Sequence, residues 1–127
     1  MKAPQKIAGK RGKPRFKQIA GYVAPGERAA FESYATDLGL TMSGLLNLLV
    51  RRELRLGRLA SLRPSYFKAV PVAECQKVIA HLDDPSLSEQ FAGHAARYSL
   101  AAATASAILI RAELDESWLA SAIALLF

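Results

Sequence analysis

The first clear pattern of apolar and polar positions lies between residues 17 and 38. The run Lys17–Val23 contains the β-favouring residues Ile, Tyr and Val and predicts a strand. After a break at Pro and Gly, Phe31, Ala35 and Leu38 recur at intervals of four and three residues. This spacing places them on one helical face, so it predicts a helix from about Glu27 to Leu38.

A second helical pattern follows directly. Gly39 supplies a C-terminal stop for the first helix, and Thr41 is a suitable N-cap for the next one. Leu45, Leu46 and Leu49 then form an apolar stripe, which predicts a helix from about Met42 to Leu56.

The sequence repeats itself at a distance of sixty residues. Lys17–Arg55 aligns without a gap on Lys77–Asp115, and 11 of these 39 positions are identical, including a Pro, a Phe and an Arg-x-Glu-Leu motif. This register favours a duplication, and it predicts a second strand at Lys77–Leu82 followed by two more helices. An alternative stays open for Cys75–Leu82, whose apolar residues also have helical spacing.

The patterns divide the 127 residues into five segments. Residues 1–16 form a basic arm, residues 17–57 the first copy, residues 58–76 a connector, residues 77–115 a second, degenerate copy, and residues 116–127 an apolar helix. One strand and two helices are too little to bury their own apolar faces. We therefore expect the two copies to share one core.

The positive charge is concentrated at one end of the chain. The net charge is +6, yet residues 1–17 alone carry seven basic residues and no acid. We interpret this segment as a flexible arm that contacts nucleic-acid phosphates, and a solubilising tail is the alternative. The candidate phosphate contacts in it are Lys10, Arg11, Lys13, Arg15 and Lys17.

The first copy resembles the ribbon–helix–helix (MetJ/Arc-like) family of DNA-binding proteins. The likeness is carried by Gln18–Val23, by the turn Gly39-Leu40-Thr41-x-Ser43, and by Leu48–Leu54. It implies a mainly α fold with a short two-stranded antiparallel β-ribbon that enters the DNA major groove. Since both copies lie in one chain, it also implies a tandem ribbon–helix–helix pseudo-dimer without a second subunit.

Strand alternation identifies the residues that would contact bases. If Ile19, Gly21 and Val23 face the helices, the outward residues of the first strand are Gln18, Ala20 and Tyr22. Two phases stay open for the second strand: one presents Val78, Ala80 and Leu82, and a shift of one residue presents Lys77, Ile79 and His81. In either phase the two halves differ, so we expect an asymmetric DNA site.

The resemblance also implies a phosphate contact at the start of the second helix. The family holds the DNA backbone with amides at this position, which here belongs to Thr41, Met42 and Ser43. The counterparts in the second copy are Ala101, Ala102 and Ala103, which lack hydroxyl groups. We therefore expect the first copy to dominate DNA affinity.

Other function classes lack the residues they need. His81 and His94 have no metal-ligand spacing with Cys75, and Glu53 and Glu113 are interpreted as surface charges of helices. No phosphate-binding glycine loop or nucleophile motif is present in the sequence. The expectation is a cytoplasmic protein without catalytic residues, metal or cofactor, and without a membrane span.

Two biological roles and one alternative function remain open. The DNA-binding hypothesis covers a transcriptional regulator and an accessory protein of plasmid transfer or mobilisation, which resembles the tandem-copy members of the family. The alternative is a protein-interaction module such as an antitoxin, because Trp118–Phe127 is apolar and could cover a protein partner or a second copy of the chain.

Overall fold

The computed structural model describes residues 18–126. The arm, Lys17 and Phe127 are outside the described residues. In chain order the elements are β1 (Gln18–Val23), α1 (Pro25–Asp37), α2 (Met42–Leu56), α3 (Leu59–Tyr66), a short 3₁₀ helix (Val72–Glu74), β2 (Gln76–His81), α4 (Ser86–Ala96), α5 (Ala102–Glu116) and α6 (Trp118–Leu126). The described part is thus mainly helical with one two-stranded sheet, as the sequence predicts.

The two strands pair with each other in antiparallel fashion. Gln18 lies opposite His81 and Val23 lies opposite Gln76, so the whole of each strand takes part in the ladder. The prediction of a second strand is confirmed, and the helical alternative for Cys75–Leu82 is wrong. Pairing supplies the backbone hydrogen bonds that an isolated strand would lack.

The boundaries of α2 follow from local chemistry. The Thr41 hydroxyl accepts a hydrogen bond from the amide of Gly44 at 2.9 Å, which confirms the predicted N-cap. Gly39 and Gly57 have φ angles of 77° and 65°, in the left-handed region that side chains disfavour. Ser99 and Ser117 have φ angles of 60° and 50° at the positions sixty residues later.

The segment predicted to be a connector contains a helix instead. α3 buries Leu59 and Leu62, and it packs against α5. The sequence contains a sign of this helix. The triplet Leu59-Ala60-Ser61 recurs sixty residues later as Leu119-Ala120-Ser121, near the start of α6. Five helices were expected, four in the two copies and one at residues 116–127, and the described residues form six α-helices.

The core is built from both halves of the chain. α2 packs along β2 and α5 packs along β1, so the second helix of each half covers the strand of the other half. Phe31 and Phe91 are both fully buried in one continuous cluster of apolar side chains. None of the helices between residues 18 and 126 is long and apolar enough to cross a membrane.

Gly21 marks the closest approach between a strand and a helix. A Cβ atom at this position would lie 2.9 Å from the Cβ of Ser106 and 3.3 Å from the backbone nitrogen of Ala107. Both contacts involve parts of α5 that cannot rotate away. The absence of a side chain on β1 is therefore what allows α5 to lie directly on the strand.

We expect Gly21→Ala to lower the free energy of unfolding by about 1–3 kcal/mol, because α5 must move outward to admit the methyl group. Gly93→Ala is the matched control. It lies in α4 with open space around its Cβ position, and alanine should stabilise that helix by up to about 1 kcal/mol. Urea unfolding of both variants measures the difference, and equal stabilities would contradict the close packing of β1 on α5.

Candidate nucleic-acid interface

The face of the ribbon that points away from the helices carries six side chains. β1 contributes Gln18, Ala20 and Tyr22, and β2 contributes Lys77, Ile79 and His81. Ala20 and Ile79 are half-buried and the other four are exposed. On the opposite face, which packs on the helices, β1 contributes the buried residues Ile19, Gly21 and Val23. The strand phase predicted for β1 is therefore confirmed.

The structure settles the phase of β2. Val78, Ala80 and Leu82 are buried, which turns Lys77, Ile79 and His81 outward. The outward set Val78, Ala80 and Leu82 given by the ungapped repeat is wrong. A shift of one residue reverses the two faces of a strand, and only the shifted phase buries the apolar side chains and exposes the polar ones. The strands therefore correspond at a distance of 59 residues, and the helices at 60.

The six outward side chains form three cross-strand pairs. At one end the side-chain amide of Gln18 lies 3.5 Å from Nδ1 of His81. At the other end the ammonium group of Lys77 lies 5.9 Å from the centre of the Tyr22 ring, within range of a cation–π contact. The pair Ala20 and Ile79 occupies the middle. The face therefore has hydrogen-bonding groups at both ends and an apolar centre, and it carries no carboxylate.

The start of α2 lies beside one end of the ribbon. The Ser43 hydroxyl accepts a hydrogen bond from the backbone amide of His81 at 2.8 Å. Thr41 is exposed and Met42 is half-buried. The first amides of a helix have no intrahelical acceptor and carry a partial positive charge, so this end of the ribbon is suited to an anion.

The start of α5 differs chemically from the start of α2. Ala101 is its N-cap residue, without a side-chain hydrogen bond, and Ala103 stands where α2 has Ser43. The two helix starts therefore share the backbone geometry but not the hydroxyl groups. The remaining candidate phosphate contacts, namely Lys10, Arg11, Lys13, Arg15 and Lys17, lie outside the described residues.

Each first helix holds the strand that belongs to the other half. The guanidinium of Arg28 on α1 donates to the carbonyl of Lys77 on β2 at 3.0 Å. Ser88 on α4, sixty residues after Arg28, has its hydroxyl 3.4 Å from the carbonyl of Gln18 on β1. These contacts fix the ribbon on the helices at corresponding positions of both strands.

Glu53 is buried, contrary to the prediction of a surface charge. Its side chain is 3% exposed, because α2 turns it toward the start of α3 and toward α4. Its carboxylate accepts hydrogen bonds from the backbone amides of Arg58 and Leu59, both at 3.0 Å. The same carboxylate lies 2.8 Å from Nε2 of His94. Glu53 therefore joins three helices.

Glu113 occupies the corresponding place in the second half and is fully buried. Its carboxylate accepts hydrogen bonds from the guanidinium of Arg52 at 2.8 Å, from the amide of Leu119 at 2.7 Å, and from the Tyr34 hydroxyl. Burial, followed by the bond to this carboxylate, raises the pKa of Tyr34 to about 12. The prediction of a surface charge is wrong here too, and the shared Arg-x-Glu-Leu motif is the sequence feature that marks both sites.

One ion pair has no counterpart in the other half. Arg111 on α5 is 9% exposed and donates to the Glu27 carboxylate at 2.9 Å. Burial alone would raise the pKa of Glu27, but the bonds from Arg111 and from the amide of Ala24 outweigh it and hold the pKa below its ordinary value. Arg51, sixty residues before Arg111, is exposed and bonds only to Asn47 among the described residues.

Among residues 18–126, no group of three or more His, Cys, Asp or Glu side chains is arranged to hold a metal ion. Comparison of the chain with protein-family models, with curated proteins and with solved structures finds no match.

Proposed function

We propose that this protein binds double-stranded DNA by inserting the ribbon of β1 and β2 into the major groove, as a tandem ribbon–helix–helix pseudo-dimer contained in one chain. The observation that carries the proposal is the outward face of the ribbon. It combines an amide, a cation, an imidazole, a phenol and two apolar side chains, and a two-stranded ribbon has the width that the major groove admits.

The pseudo-dimer is supported by contacts that recur sixty residues apart. His94 contacts Glu53, and Tyr34, sixty residues before His94, contacts Glu113, sixty residues after Glu53. Each of these contacts joins the first helix of one half to the second helix of the other. Reciprocal contacts of this kind are what a two-fold axis generates in a symmetric dimer.

The chemistry of four of the six outward residues suggests which base atoms they would contact. The amide of Gln18 can bond N6 and N7 of adenine, and the ammonium of Lys77 can bond O6 and N7 of guanine. Ala20 and Ile79 at the centre suit the methyl group of thymine. Because Gln18, Ala20 and Tyr22 correspond to Lys77, Ile79 and His81, the two half-sites read by the protein are expected to differ.

Phosphate contacts would come from the start of α2 and from the basic arm. Thr41, Met42 and Ser43 offer amides and hydroxyls beside the His81 end of the ribbon, while the equivalent alanines of α5 offer amides alone. The arm would supply positive charge from its six basic residues. A protein of this kind would act either as a transcriptional regulator or as an accessory protein of plasmid transfer or mobilisation.

The test uses a DNA site selected from random duplexes. We expect Gln18→Ala and Tyr22→Ala each to weaken binding to that site by about tenfold or more, because each removes a base contact worth about 1–3 kcal/mol. Both side chains are exposed, so the melting temperature should stay near that of the parent. Gel shift and thermal melting measure the two effects.

The matched control is Gln90→Ala, at an exposed glutamine on α4 away from the ribbon. It should bind the selected site as the parent does. Failure of the parent to bind random duplex at micromolar concentration and low salt would refute the DNA hypothesis. Parent-like binding by both ribbon variants would refute the ribbon as the reading element.

A further inference from the structure

The outer side of α2 is left uncovered by the residues that the structure describes. Its cleft of about 370 Å³ is formed by Leu48, Arg51, Arg52, Arg55, Leu56 and Leu119. Leu48 and Leu56 are 42% and 51% exposed. The lining thus combines apolar side chains with three arginines and contains no acid. We call these six residues the α2 cleft.

The corresponding face of α5 is covered by the chain itself. α3 packs against α5, the Tyr66 hydroxyl donates to Asp115 at 2.5 Å, and Arg111 donates to the carbonyl of Tyr66 at 3.2 Å. Ile108 and Arg111 are buried there. Their counterparts on α2 are Leu48 and Arg51, and both are exposed.

The difference originates in the helix that would have to cover α2. The start of α6 is held in the same way as the start of α3. The amide of Leu119 donates to the Glu113 carboxylate, and the amide of Ala120 donates to the Tyr34 hydroxyl. Beyond that point the buried Leu62 of α3 is replaced by the exposed Ala122, and Leu125 is 88% exposed. α6 therefore has no leucine at the position equivalent to Leu62, and within residues 18–125 the α2 cleft is left open.

Charge distinguishes among the occupants that could fill the cleft. Arg51 and Arg55 lie four residues apart on one face of α2. Within the part of the chain that the structure describes, neither forms a salt bridge. α6 has no acidic residue, so a second copy docking through α6 would leave these cations without partners. A helix with acidic side chains beside its leucines would satisfy both requirements of the cleft.

The Arg55 end of the cleft is separate from the proposed DNA surface. Arg55 follows Ser43 by twelve residues on a continuous helix, which corresponds to roughly 18 Å along the axis. A DNA phosphate at the start of α2 would therefore be out of reach of Arg55.

We propose that the α2 cleft binds an acidic amphipathic helix of a partner protein, with leucine-like residues spaced three apart as Leu59 and Leu62 are in α3. The partner helix takes the place on α2 that α3 takes on α5. The mode is a helix in a groove, in which apolar anchors give affinity and flanking charges select the partner.

The probe is a fluorescein-labelled peptide of about 16 residues with leucines at helical spacing and glutamates on both flanks, titrated with the full chain. A peptide with lysine in place of every glutamate is the matched probe. We expect saturable binding of the acidic peptide and binding weaker by about tenfold or more for the basic one. Trp118 is the single tryptophan and lies 4.6 Å from the Arg52 guanidinium, so its emission reports binding independently.

Variants of exposed residues locate the site without endangering the fold. The double variant Arg51→Glu and Arg55→Glu should weaken the acidic peptide by about tenfold or more, and Leu48→Ser should weaken it as well. Arg97→Glu, at an exposed arginine following α4, is the control and should bind as the parent does. Circular dichroism melting verifies that every variant is folded.

Four outcomes would overturn the proposal. The first is no saturable binding of the acidic peptide, and the second is equal binding of the acidic and basic peptides. The third is a double arginine variant that binds the acidic peptide as the parent does but binds duplex DNA more weakly, which would mean that these cations contact DNA phosphates. The fourth is a dimer in sedimentation that Leu125→Ser abolishes, which would assign the cleft to a second copy. The first, second and fourth outcomes do not depend on whether the parent binds duplex DNA in the gel shift, so failure of this proposal and failure of the DNA proposal can be told apart.

Discussion

Replacing Glu113 by alanine is expected to lower the free energy of unfolding by about 3–5 kcal/mol, the largest effect of any single substitution considered for this chain. The carboxylate is fully buried and accepts from the Arg52 guanidinium, the Tyr34 hydroxyl and the amide of Leu119. Its removal leaves a cation, a phenol and an amide without their acceptor, and the loss of a partner costs more than the intact contact contributes.

The expected loss also reaches beyond α5. Tyr34 belongs to α1, Arg52 to α2 and Leu119 to α6, so four helices lose a common anchor when the carboxylate is removed. Chemical unfolding measured by circular dichroism gives the free energy. Glu89→Ala, at an exposed glutamate of α4, is the control and should change it by less than about 0.5 kcal/mol. Equal stability of the two variants would contradict the anchoring role of Glu113.

Deletion of residues 1–16 is expected to flatten the salt dependence of DNA binding. The deletion removes the six basic residues of the arm and no acid. Each phosphate neutralised contributes about 0.9 to the slope of log K against log salt concentration, so full engagement of the arm predicts a slope smaller by up to about 5. Affinity at low salt should fall for every duplex alike, because contacts between basic side chains and phosphates carry no sequence information.

The control keeps the length of the arm and removes its charge, with glutamine at each of the six basic positions. This variant should behave as the deletion does. Fluorescence anisotropy between about 50 and 200 mM salt gives the slopes. A slope that is the same in the parent and in both variants would mean that the arm serves solubility, and a changed site preference would mean that it reads bases.

The sequence was informative wherever local rules decide the structure. Thr41 forms its cap and Gly57 its left-handed C-terminus because both depend on neighbours within a few residues. The phase of β1 was predictable because alternation and burial agree along the strand. The second strand left two phases open, and the structure shows the one that buries Val78 and Ala80.

The sequence was misleading where distant segments meet. Glu53 and Glu113 looked like surface charges, since nothing near them in the sequence reveals that the amides of the next helix and a side chain from the other half converge on each carboxylate. The sequence predicts a connector at residues 58–76 because Pro64 interrupts a short segment there. The structure forms α3 in it and buries Leu59 and Leu62. The sixty-residue repeat carries a sign of both features, because it pairs Glu53 with Glu113 and, beyond residue 55, Leu59 with Leu119.

The antiparallel pairing of β1 with β2 has a consequence for how the chain acquires its structure. Residues 18 and 81 are neighbours in the ribbon, so closing the ribbon means closing a loop that contains three helices and most of the first half. Contacts this far apart in sequence slow folding, because the entropy of loop closure is lost before the contacts that compensate for it are made. During synthesis, the backbone N–H and C=O groups of β1 that bond to β2 have no partner until residues 76–81 have been added. Folding of the two halves is therefore a single late event, and the interval before it is when the unpaired strand is open to aggregation.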